Sequence, residues 1–167
     1  MIKEKENLVR DTVDKKKCLV IYGLNEKKNK IRFAREKEEK ELVKEIIRVV
    51  QDEGQNLEAE IEEIHRIGKY NEGGKRPLKV KMTSQMKVEE ILARSGKLAE
   101  YHECKDIWIK RDMNLEEREK EKQLRSEARQ KNEQRSESEM RKFYWRVLDM
   151  RLRKWYLRER EEGATAY

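Results

Sequence analysis

The run Arg76-Pro77-Leu78-Lys79-Val80-Lys81-Met82 constrains the fold of this chain more than any other segment. Its side chains alternate in character. Leu78, Val80 and Met82 project to one side of a pleated strand, and Lys79 and Lys81 to the other. Such a strand belongs in a sheet with one face against an apolar core and one cationic face suited to something anionic. Pro77 has no N–H to donate, which suits the start of a strand.

The flanking sequence predicts the rest of that sheet. Cys18 to Leu24 is β-branched and aromatic and is stopped by Gly23 and Asn25, so it reads as a strand. Leu42, Val43, Ile46, Ile47, Val49 and Val50 recur at the helical period, with Gly54 following as a terminator. Ile61, Ile64 and Ile67 predict a second strand and Asn71 to Gly74 a turn. Ser84 can cap a helix carrying Val88, Ile91 and Leu92. Asp106 to Lys110 predicts a fourth strand, with Ile107 and Ile109 on one side and Trp108 on the other. The order β-α-β-β-α-β predicts an α+β, ferredoxin-like sandwich over residues 18–112, of which the RRM is the commonest RNA-binding form.

The flanks differ from this domain. Charged residues make up 46% of the 167 and apolar ones 35%, so much of the chain must be solvated surface. The apolar runs cluster between Cys18 and Ile109, where they suffice for one small core. Residues 1–17 read as a flexible or frayed helical lead-in. Over 113–140, Asn114 with Glu117 forms a capping-box pattern that opens a long charged helix, and Ser136-Glu137-Ser138 marks a break. Residues 141–158 are aromatic and basic; they form a hairpin or continue the helix, and the crowding of aromatics favours the hairpin. Residues 159–167 read as a disordered tail.

Charge and cysteine usage narrow the function classes. The balance of 42 basic to 35 acidic residues, a formal +7, fits a nucleic-acid partner. Cys18 lies in an apolar run and Cys104 in a polar loop. Two unclustered thiols support neither a disulfide framework nor a zinc site and point to a reducing compartment. The longest apolar run, Cys18 to Tyr22, is far too short to span a bilayer or to serve as a signal-peptide core. The expectation is a soluble intracellular protein, cytoplasmic or nuclear, with no membrane partner.

Alternation assigns the candidate site. If Leu19 and Ile21 point inward, Tyr22, Lys79, Lys81 and Trp108 share the open face of the sheet. There the aromatics can stack bases and the lysines can neutralise phosphates. His65, Arg66, Lys69, Lys75 and Arg76 would form a basic rim beside the lysine strand. Gly73-Gly74-Lys75 is not a phosphate loop, because Lys69 and Arg76 occupy the glycine and hydroxyl places of that motif. Arg146, Arg153 and Lys154, interleaved with Tyr144, Trp145, Trp155 and Tyr156, would clamp a nucleic-acid backbone. His65 and His102 have no neighbouring nucleophile, so no catalytic residue, metal or cofactor is expected. The competing expectation is a protein-interaction or self-association module, with Tyr22 and Trp108 covered by the chain's own C-terminal segment.

Leu19-Val20-Ile21-Tyr22-Gly23-Leu24, His65-Arg66-Ile67-Gly68-Lys69, Arg76-Pro77-Leu78-Lys79-Val80 and the run Ile107 to Arg118 occur in an order that resembles a known family. This is the RRM-like module of proteins encoded by the first open reading frame of non-LTR retrotransposons, LINE-type and jockey-like, copies of which are often labelled endonuclease-reverse transcriptase. The resemblance covers about residues 16–158. It implies a chaperone-like RNA-binding protein that coats the element's own RNA in a ribonucleoprotein particle and binds single-stranded RNA, or single-stranded DNA, through the RRM and the segment after it. The chain departs from the usual RRM in that Val20, Pro77 and Lys79 hold places where aromatics stack bases, so phosphate contact should dominate. Residues 1–17 are too short to replace the coiled coil of LINE-type relatives, so a homo-oligomer is a possible state of the chain and not a required one.

Overall fold

The computed structural model describes residues 2–71 and 73–158. The chain divides into two compact units, Met1–Met113 and Asn114–Tyr167. The first holds α1 (Ile2–Lys16), β1 (Cys18–Tyr22), α2 (Arg32–Val50), β2 (Ile61–Arg66), β3 (Leu78–Met82), α3 (Gln85–Arg94) and β4 (Trp108–Arg111). The second holds α4 (Leu115–Glu133), α5 (Glu137–Lys142), β5 (Phe143–Leu148) and β6 (Arg151–Tyr156). The protein is therefore α+β, with a four-stranded antiparallel sheet and a separate two-stranded hairpin. The predicted tail over 159–167 lies outside the described residues.

In the first unit the sheet order is β2-β3-β1-β4. Leu19 pairs with Val80, and Ile21 with both Leu78 and Ile109. These inward residues pack on Val43, Ile46, Ile47 and Val50 of α2 and on Val88 and Ile91 of α3. Burying each such aliphatic side chain stabilises the fold by roughly 1.5–3 kcal/mol. Ser84 caps α3 by accepting from the Lys87 N–H, as its position predicts.

Gly23 ends β1 at φ +89°, and a Cβ there would lie 2.0 Å from the Asp106 carbonyl oxygen. Only glycine fits both the backbone angle and that close approach. The lead-in over 1–17 is a helix over most of its length, although none of its residues is buried. Cys104, read from sequence as part of a polar loop, is buried. Among the described residues no helix is long and apolar enough to cross a membrane.

In the second unit α4 opens with the expected capping box, Asn114 accepting from the Glu117 N–H while the Glu117 carboxylate accepts from the Asn114 N–H. Ser136 and Glu139 repeat the device at α5, which explains the break between the helices. The aromatic segment is a hairpin, pairing Phe143 with Tyr156 through to Leu148 with Arg151. Its two-residue turn, Asp149-Met150, has φ of 52° and 60°, the positive values a tight hairpin turn needs. Ala128 and Phe143 are the buried hydrophobic residues described in this unit.

Candidate nucleic-acid interface

The sheet face opposite α2 and α3 carries the side chains that alternation groups together. Register builds it in rows. His65, Lys79, Val20 and Lys110 stand in one line across β2, β3, β1 and β4. Glu63, Lys81 and Cys18 form the next line. Tyr22 and Trp108 pair across β1 and β4 at the other end. The face brings together Tyr22, Lys79, Lys81 and Trp108, as expected, and adds His65, expected on the rim, and Lys110. Sequence reasoning overlooked Lys110, although its place two residues after Trp108 puts it on that side.

The aromatic pair is preorganised. The rings of Tyr22 and Trp108 stack with centroids 5.3 Å apart and planes 6° from parallel. Trp108 remains 54% exposed. Each ring uses one face on the other, so a base would extend the stack instead of opening it.

The two lysines of β3 differ. Lys79 Nζ lies 3.0 Å from Asp112 Oδ2, with side-chain exposures of 25% and 14%. Asp112 follows β4, and its N–H donates to the Cys18 carbonyl, so it is diagonal to Lys79 across β1. Asp112 Oδ2 is buried and makes no well-directed hydrogen bond; charge is its contact with Lys79. Burial presses Lys79 toward its neutral form, but the Asp112 carboxylate outweighs this and holds its pKa above the ordinary lysine value. Lys81 has no ion-pair partner among the described residues.

The expected basic rim separates into two kinds of residue. Lys69 and Lys75 lie in the loop between β2 and β3, and both are exposed. Arg66 and Arg76, expected as free cations of the rim, are instead engaged within the protein. Arg66 pairs with Leu78 in register and so points to the helix side, where its Nε donates to Glu39 Oε1 at 2.9 Å. Its side chain is 4% exposed. Arg76 donates through Nε to Glu26 Oε1 at 2.7 Å and through Nη1 to the Gly68 carbonyl at 2.6 Å. Both guanidiniums are spent on holding loops. Glu39 interrupts the apolar stripe of α2 one turn before Val43, and that was the available signal for a buried cationic partner.

The hairpin of the second unit presents a surface of its own. Strand alternation puts Tyr144, Arg146, Arg151, Arg153 and Trp155 on one side. Arg146 faces Arg153 directly across the strands and stands 4.9 Å from the Trp155 ring centroid. Lys154 is on the other side, 4.5 Å over Phe143 and 5.2 Å over Trp145. Of the three basic residues predicted here, the fold thus groups Arg146 with Arg153 and separates Lys154. Two like charges directly opposite are unfavourable in a hairpin unless an anion joins them.

Cys18 and Cys104 are both buried free thiols, and burial raises the pKa of each. Neither is poised as a nucleophile. Among the described residues no group of three His, Cys, Asp or Glu side chains is arranged to hold a metal ion. Comparison with protein-family models finds no match to the chain, and comparison with curated proteins finds none either.

Proposed function

We propose that this protein is a non-catalytic binder of single-stranded nucleic acid, RNA foremost, with little dependence on sequence. The observation that carries the reading is the shared sheet face, where the Tyr22–Trp108 stack stands beside a line holding His65, Lys79 and Lys110, with Lys81 in the line beyond. Aromatic faces accept any base, and lysines contact phosphate without reading sequence. The Arg146–Arg153 face of the hairpin supports a second phosphate contact. The antiparallel order β2-β3-β1-β4, with a helix between β1 and β2 and another between β3 and β4, supports a ferredoxin-like, RRM-like description of the first unit. Within this reading the chain is a ribonucleoprotein component of the non-LTR retrotransposon type, working in an intracellular reducing compartment.

Binding of a labelled oligouridylate across a salt series tests it. With about four to six phosphates contacted, the slope of log affinity against log salt is near −3 to −4 for a single strand. Tyr22→Ala and the Lys79→Ala/Lys81→Ala pair should each weaken binding in a folded protein. A flat salt response, or folded variants that bind like wild type, would remove the sheet face as the site.

A self-association module is the second reading, favoured by α1. Its Ile2, Leu8, Val9 and Val13 are all exposed, and the helix buries no residue. Light scattering after size exclusion, of the full chain and of a Leu8→Glu/Val13→Glu variant, distinguishes a monomeric binder from an assembly through α1.

A further inference from the structure

The geometry points to Asp112 as an intrachain stand-in for phosphate, a carboxylate latch that holds Lys79 until a nucleic-acid strand takes its place. This inference rests on the binding function proposed above and concerns the regulation of that same face.

The arrangement has three parts. Lys79 sits on a central strand in line with His65 and Lys110, where a phosphate backbone crossing the sheet would meet it. Its ammonium is instead turned toward Asp112, 3.0 Å away and one row along, across β1. Cys18 and Val20, the β1 residues that this diagonal spans, are 2% and 4% exposed although they point away from the helix-packed core. The contact is also incompletely satisfied, because Asp112 Oδ2 is buried without a well-directed hydrogen bond. Releasing Lys79 leaves that carboxylate buried without its cation, so only a stronger, charge-assisted acceptor such as a phosphate can draw the ammonium away. Asp11 of α1 adds to the negative field at Lys79, and the raised pKa of that lysine reports the same field.

The latch has a signature in salt dependence that a merely structural pair lacks. A free lysine that neutralises a phosphate releases one condensed cation, which adds about 0.7 to the slope for a single strand. The Lys79–Asp112 pair is neutral. When a phosphate takes Lys79, the carboxylate left beside it retains a cation, so the exchange adds nothing net. Lys81 faces Glu63 across the strands but makes no ion pair with it among the described residues, so it contributes most of a full share.

The test is oligouridylate binding by the full chain over a salt series, with thermal melts to verify folding. Asp112→Asn should tighten binding about fivefold at low salt, the equivalent of one unit-charge interaction at about 4 Å in water. It should also steepen the slope by about 0.7. Adding Lys79→Gln to that variant should abolish both gains, since they pass through Lys79. If Asp112→Asn does not fold, Asp112→Ser is measured with the same expectations. Wild-type binding with an unchanged slope in the folded Asp112 variant overturns the latch and leaves the binding function standing. Failure of wild type and variant alike to bind at any salt overturns the binding function and the latch with it.

Discussion

Arg66 of β2 and Glu39 of α2 form an ion pair at 2.9 Å with side-chain exposures of only 4% and 8%. The same guanidinium donates through Nη1 to the carbonyls of Leu24 and Arg76, at 2.8 and 2.7 Å, and through Nη2 to the Asn25 carbonyl at 3.2 Å. One side chain thereby joins a helix, the connection after β1 and the loop before β3. These are the segments that fix where β3, and with it Lys79 and Lys81, lies in the sheet.

Removing Glu39 leaves that guanidinium buried with neutral acceptors alone. Glu39→Ala should therefore cost about 3–5 kcal/mol, the range for breaking a buried pair from one side. Replacing both partners, as Glu39→Leu with Arg66→Met, should recover part of the loss, because no charge is then stranded. Urea unfolding of the single and double variants reads both numbers. A single variant within about 0.5 kcal/mol of wild type would place it among ordinary surface substitutions and dismiss the structural role.

The contrast between Arg66 and Lys79 shows what was legible in the sequence. Period-two alternation carried Lys79, Lys81, Tyr22 and Trp108 to one face, and the structure has them there, because a pleat leaves a side chain only two directions. The order of the four strands with their two intervening helices was likewise readable from local pattern. Alternation was not applied to Arg66, where the irregular spacing of Ile61, Ile64 and Ile67 obscured the register; a bulge between Ile61 and Glu63 accounts for that irregularity. Pairing was hidden for a different reason. Glu39 lies 27 positions from Arg66, and Asp112 is on a different strand connection from Lys79. No local spacing signals a contact made only by tertiary folding. The hairpin was harder still, since an aromatic run without Gly or Pro fits helix and strand alike.

Asn132 of α4 offers a second structural test, in the other unit. Its side-chain amide donates to the Trp145 carbonyl at 2.8 Å and accepts from the Trp145 N–H at 2.6 Å. It thus closes the edge of β5 that β6 does not cover, where open backbone groups would invite another strand. Asn132→Ala should destabilise the hairpin by roughly 1–2 kcal/mol, since both backbone groups lose a partner but remain within reach of water. Amide exchange at Trp145 should accelerate about tenfold, and unchanged exchange would show that the edge is held by something else.

Acid should loosen the join between α3 and β4. Arg111 binds the Glu89 carboxylate through both terminal nitrogens, the Nη2 contact measuring 2.9 Å. The hydrogen bond from Arg111 holds the Glu89 pKa below its ordinary value, against the opposing effect of burial. A depressed carboxylate pKa contributes stability that is present above the unfolded-state pKa and is lost as pH falls through the folded-state value. Wild type should therefore lose stability on acidification below about pH 4.3, the unperturbed glutamate value. Glu89→Gln should lose less over the same interval while being weaker at neutral pH. Melting curves at neutral pH and near pH 3 compare them, and parallel losses in the two proteins would assign the acid sensitivity to other carboxylates.

The hairpin turn carries the opposite kind of opportunity. Asp149 and Met150 both adopt positive φ, and neither is glycine. Asparagine and aspartate tolerate that region because their short polar side chains bond locally, whereas methionine gains no such compensation there. A left-handed residue with a Cβ costs roughly 1–2 kcal/mol, while glycine adds back some freedom to the unfolded chain, about 0.4–1 kcal/mol. Met150→Gly, which makes the favoured Asp-Gly turn, should therefore stabilise the hairpin by up to about 1 kcal/mol. The gain should appear as slower amide exchange across Phe143–Leu148 and Arg151–Tyr156, with Arg146 and Arg153 kept in register. Faster exchange in the glycine variant would mean that Met150 contributes packing worth more than the strain it bears.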